Sequence, residues 1–182
     1  HYNKAGLMMY TLSDFIGKEK FNKALKTFME RFRYKSSPYA DIGTFVKMVK
    51  ENTPDDLQYL VDDTFSKITL YENKAKNASA SVNEDGFYDV TFTVEAKKVY
   101  SDSTGVQTTA ELNDWLEVGI LGETIIDGKK TEIPILVEKV LITDSLSTFT
   151  FTVKEEPIKA GIDPMSKFID RDVDDNLIRV EL

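Results

Sequence analysis

The chain has 182 residues, 41% of them hydrophobic, which is enough apolar material for a buried core in one or two domains. Its 31 acidic residues outnumber 23 basic ones, for a formal net charge of -8; that average charge repels a polyanion, so a nucleic-acid partner is not expected. The absence of cysteine excludes disulfides, thiolate metal sites and a cysteine nucleophile; no apolar run approaches the ~18 residues of a membrane span, so direct membrane insertion by this chain is not expected either.

The first third reads as helix. Tyr2 opens a helical pattern with no cap or turn before it, and Leu7, Met8, Leu12, Phe15 and Ile16 then share one face. The uncapped start leads us to expect the C-terminal piece of a longer protein. Gly17 ends this helix. The second runs from Lys18 and places Phe21, Ala24, Leu25, Phe28 and Phe32 on one stripe, until Ser36-Ser37-Pro38 breaks it. Asp41 is the expected N-cap of a third helix that buries Ile42, Phe45, Val46 and Val49. Thr53-Pro54-Asp55-Asp56 marks a fourth start: Thr53 as the cap, Pro54 at the first helical position, and two aspartates at the positive end of the helix dipole. Leu57, Leu60, Val61 and Phe65 form its apolar face.

The period then changes from 3.6 to 2. Tyr88, Val90, Phe92, Val94 and Ala96 alternate with polar residues, as do Phe149, Phe151 and Val153 with threonines. Leu116, Val118 and Ile120 form a third such run, and Ile178, Val180 and Leu182 a fourth. Asp85-Gly86 and Asp127-Gly128 suit tight hairpin turns. Strands with regular turn signals and no helices between them predict an antiparallel sandwich. The expected fold class is therefore α+β, with a helical segment over 1–66 and a β-sandwich domain over 67–182.

Beyond these periodicities, the order Tyr2-x-Lys4-Ala5-Gly6 before a Leu-rich helix resembles the C-terminal half of the aminopeptidase N-like gluzincins, a zinc peptidase family. The resemblance continues through Lys18-Glu19-Lys20-Phe21 and the aromatic close Phe28, Phe32 and Tyr34. It is greatest to a bacterial subgroup in which the peptidase is fused behind a transporter permease. That part rests on Thr53-Pro54-Asp55-Asp56-Leu57-Gln58-Tyr59, Ile68-Thr69-Leu70-Tyr71-Glu72-Asn73, Ala160-Gly161-Ile162-Asp163-Pro164 and Ile169-Asp170-Arg171, which together span nearly the whole chain. Ala5 is a departure, since the family usually has Gly directly after the lysine.

The resemblance implies the end of a helical catalytic domain followed by a small immunoglobulin-like sandwich. It implies zinc in the parent protein, a peptide substrate there, the upstream catalytic domain of the same chain as partner, and a cell-envelope location through upstream membrane segments. It also implies a catalytic role for Tyr2. In this family a zinc-activated water attacks the peptide carbonyl, and a tyrosine at this place faces the oxygen that becomes charged. A neutral phenol is a good donor to such an oxygen at neutral pH. Without the resemblance, Tyr2 reads as an aromatic anchor at a helix start.

The chain is not expected to hold the metal itself. His1 is its only histidine, and no His-Glu-x-x-His pair is present. Asp170, Asp172, Asp174 and Glu181 have the spacing of a calcium loop, but Asp175 stands where the turn glycine belongs, so a solvated acidic turn is the expected state. Asp55-Asp56 and Asp62-Asp63 read as a helix start and a polar face, Trp115 as core or edge packing, and Asn77-Ala78-Ser79 as a sequon common by chance. The alternative function is a non-catalytic sandwich module that binds or scaffolds within an envelope protein.

Overall fold

The computed structural model describes residues 2–182; of the first three residues it describes no side chain. The chain divides into two compact units, 1–69 and 70–182. It is an α+β protein with antiparallel sheets.

In the helical unit α1 spans Tyr2–Ile16, α2 Lys18–Phe32, α3 Ile42–Glu51 and α4 Gln58–Phe65. Leu12, Phe15, Ile16, Phe21, Ala24, Phe45, Met48, Val49, Leu60 and Val61 make its core. Gly17 sits at φ 97°, a left-handed backbone that suits glycine and lets α1 end and α2 begin at once. Asp41 caps α3 as expected: its carboxylate accepts the Thr44 amide at 2.8 Å and the Thr44 hydroxyl at 2.7 Å.

Two expectations for these helices are corrected. Ile42 is 65% exposed: it shares the face of Phe45 and Val49, but it is the first residue of α3 and lies at the open apolar recess beside Phe45. Thr53 does not cap the fourth helix. Its hydroxyl donates back to Val49 O at 2.8 Å, and a 3₁₀ turn, Asp55–Leu57, leads into α4 instead.

The regular structure of the rest of the chain is strand, apart from a 3₁₀ turn at Val173–Asp175. Ile68–Tyr71 (β1), Lys98–Ser101 (β4) and Gln107–Ala110 (β5) form one sheet in the order β1-β4-β5. Lys74–Val82 (β2), Tyr88–Glu95 (β3) and Leu146–Val153 (β8) form a second in that order. Asp114–Ile126 (β6), Lys129–Ile142 (β7), Lys159–Ile162 (β9) and Leu177–Arg179 (β10) form a third, ordered β10-β9-β6-β7.

Both predicted hairpin turns are present. Asp127 and Gly128 lie at φ 51° and 75° between β6 and β7, the backbone of a two-residue hairpin loop. Between β2 and β3, Gly86 is at φ 80° and the Asn83 side chain accepts the amides of Asp85 and Phe87.

The β3 alternation holds, with Val90, Phe92 and Val94 fully buried, and Ala96 fully buried just beyond its end. β6 departs from it: Leu116 through Leu121 is buried on both faces, so Glu117 is enclosed as well. The fourth alternating run is corrected too. Val180 is buried, but β10 ends at Arg179 and Leu182 is exposed, because the chain turns to lie beside β2, where Glu181 bridges Ser79.

Candidate functional site

Among the described residues the charged groups that the fold encloses lie in the sheet unit, apart from Asp63 of the helical unit. Lys98 and Asp114, at the first residues of β4 and β6, form a buried ion pair at 2.7 Å. The Tyr71 hydroxyl donates to the other oxygen of Asp114 at 2.9 Å, so both oxygens are held. Buried charges survive only with such partners.

A second buried pair joins Lys167 to Glu117. Asp163 lies in this second cluster. Its oxygens accept the backbone amides of Lys167 at 2.8 Å and Phe168 at 3.0 Å, and its own amide donates to Glu117 O at 2.7 Å. Burial pushes the Asp163 carboxyl up to about 7 against the pull of those two amides, with Glu117 and Asp170 adding to the rise. Phe168 then packs edge-on against Tyr71 at 4.9 Å between ring centroids, which links the two clusters.

A polar cleft of about 280 Å³ opens beside this network, between the β1–β2 corner and the 170–175 turn. Glu72 is held there by Lys97 at 2.6 Å and Arg171 at 3.0 Å, and Lys74 holds Asp175 at 2.9 Å. The Asp170 carboxylate accepts the amides of Asn73 and Asp172. Partial burial raises the Asp170 carboxyl, while the Lys97 bond lowers Glu72. Each cation of the cleft thus already neutralises a carboxylate, and the arrangement ties chain segments together. An apolar recess of about 380 Å³ in the helical unit is lined by Leu25, Phe28, Met29, Ile42 and Phe45; its one carboxylate, Asp41, is engaged in capping α3.

The residues singled out in the sequence are dispersed. The side chain of Tyr2, and all of His1, lie outside the described residues, while Lys4, Ala5 and Gly6 line an exposed first turn of α1. Asp170, Asp172, Asp174 and Glu181 do not converge: Glu181 is drawn to β2, and Asp170 and Asp172 accept amides of their own turn. Among the described residues no three His, Cys, Asp or Glu side chains are placed to hold a metal ion.

Asp62 pairs with Lys50 on the helix surface, but Asp63 is buried against Lys67, so only the first of these two belongs to a polar face. Asn77 is exposed on β2, and Trp115 is half-buried on β6 opposite Leu141. The enclosed groups Lys98, Asp114, Glu117, Asp163 and Lys167 were not singled out as sites. Their signal in the sequence is slight: Lys98, Asp114 and Glu117 are strand charges that look solvated until a second layer covers them, and Asp163 and Lys167 lie in a turn, where charges are ordinary.

Among the described residues no helix is long and apolar enough to cross a membrane. No protein-family model matches the chain, and no curated protein matches it in sequence.

Proposed function

We propose that this chain completes an aminopeptidase N-like zinc peptidase. In this reading its helical unit closes the catalytic domain and carries Tyr2 as an oxyanion donor. Its sheet unit is an immunoglobulin-like sandwich that buttresses that domain, and the parent protein sits at the cell envelope behind a transporter permease.

The observation that carries the reading is the coincidence of motif and element. Tyr2-x-Lys4-Ala5-Gly6 occupies the first turn of an amphipathic helix, and the later family-like stretches fall at the start of α4, in strands β1 and β9, and in the turns that follow those strands.

The residues of this chain do not fit a zinc site, having one histidine and no cysteine. Zinc, the activated water and the general base would belong to the upstream catalytic domain. What this chain would contribute to the chemistry is the Tyr2 hydroxyl, donating to the substrate oxygen as negative charge develops on it.

A non-catalytic binding or scaffold module is favoured by one observation: the charged side chains of the cleft are already paired among themselves. Hydrolysis of an aminoacyl-anilide by the full-length protein separates the two readings. Turnover abolished by a chelator and restored by zinc supports the peptidase. Absence of turnover in the zinc-saturated protein would leave the scaffold.

A further inference from the structure

Strand β8 is an edge without the protection that edges usually carry. It is the outer strand of the order β2-β3-β8 and, among the described residues, pairs with β3 alone. Edge strands are ordinarily kept from pairing by charge, proline, bulges or brevity. The other long edges of these sheets obey this. β7 carries Lys129, Lys130, Glu132, Pro134, Glu138 and Lys139, and the outer edge of β2 is occupied, with Ala80 N donating to Glu181 O and Glu181 N to Ala78 O. β8, Leu146–Val153, is 8 residues long, has no charge and no proline, and keeps an unbroken register against β3 from Leu146 to Val153.

The sequence of this edge is also its own mirror. Thr148-Phe149-Thr150-Phe151-Thr152 reads the same in both directions, so an antiparallel copy centred on Thr150 sets Thr148 opposite Thr152 and Phe149 opposite Phe151. Threonines face out and phenylalanines face in. The outward face already shows the contact such a seam would extend: Thr91 and Thr150, and Thr93 and Thr148, join hydroxyl to hydroxyl across β3–β8 at 2.9 Å. On the inward face Phe149 and Phe151 are half-buried and stack at 15°, leaving ring surface for a second pair to cover. A two-fold interface requires each patch to be complementary to itself.

We propose that β8 is the seam of a symmetric dimer of this chain, in which two β2-β3-β8 sheets join edge to edge, antiparallel, with Thr150 on the two-fold axis. Sedimentation equilibrium over a concentration series reads the mass of the assembly. The expected result is a reversible species of twice 20.7 kDa. Thr150→Lys, on the exposed face, sets two like charges against each other on the axis and returns the protein to monomer with an unchanged circular dichroism spectrum.

If Thr150→Lys fails to fold, two cysteine variants of this cysteine-free chain decide the question. Directly opposed residues of antiparallel strands lie about 4.5–5.5 Å apart at Cα, so Thr150→Cys joins two copies by a disulfide under mild oxidation. Leu146→Cys stands roughly 27 Å from its twin in this register and stays monomeric on a non-reducing gel. A monomer at every concentration, assemblies that grow beyond two copies, or equal crosslinking of the two variants would overturn the proposal.

Discussion

Asp163 sits in left-handed backbone at φ 45°, with both carboxylate oxygens on the amides of the turn it closes. Its folded value of about 7 lies above the ordinary 3.8. The folded chain therefore holds a proton that the unfolded chain has already released. The stabilisation this gives is full below about pH 4 and is lost as pH rises through about 7. We predict that the sheet unit, followed through the fluorescence of its one tryptophan, Trp115, unfolds at lower temperature near pH 8 than near pH 5. Asp163→Asn removes the titration and flattens that difference. An equal slope in wild type and variant would place the pH dependence elsewhere.

Lys98 and Asp114 make a second prediction at this scale. Removing one partner of a buried pair strands the other charge, at a cost of about 3–5 kcal/mol. Asp114→Ala is thus expected to destabilise the sheet unit strongly in urea. Lys98→Met with Asp114→Leu, which removes both charges, is expected to be far milder. A double variant as unstable as the single one would mean that geometry rather than charge is at stake.

At the scale of the element, β9 shows how closely strand packing restricts sequence. A Cβ on Gly161 would meet Asn176 O at 2.0 Å and the Ala75 side chain at 3.1 Å. The first of these is backbone of the segment leading into β10 and cannot turn aside. Gly161→Ala is expected to cost about 1–3 kcal/mol or more by overpacking and to free the amides of 177–179 to hydrogen exchange. Retained protection there would show that β10 gives way without loss.

The same scale explains what the sequence conveyed. The start of α3 was legible because Asp41 and Thr44 form a local contact three residues apart. The start of α4 was misread because Thr53 has two acceptable partners, and the preceding turn offers the carbonyl of Val49. β3 and β8 were legible from strict alternation. β2 was not: its inward residues, Ala75 and Ala78, are small, and a bulge between Ala75 and Asn77 breaks the period. β7 was hidden by Pro134, which is tolerated on an edge beside the register shift at Ile120 and Leu121.

At the scale of the whole molecule, the switch in hydrophobic period along the chain told helix from antiparallel sheet, because it depends only on neighbours. The small β1-β4-β5 sheet left no such trace, since its strands are four residues each. The buried charge clusters were equally silent, because Glu117 meets Lys167 across 50 residues of sequence.

The proposal that matters most for function is that Tyr2 completes a peptidase active site. Tyr2→Phe in the full-length protein keeps the ring and deletes only the hydroxyl donor. Steady-state kinetics on an aminoacyl-anilide is the direct test. The expected result is a fall in kcat of about 10²–10³-fold, with KM moving much less and zinc content unchanged. Wild-type turnover in that variant would contradict it and leave Tyr2 as a packed aromatic.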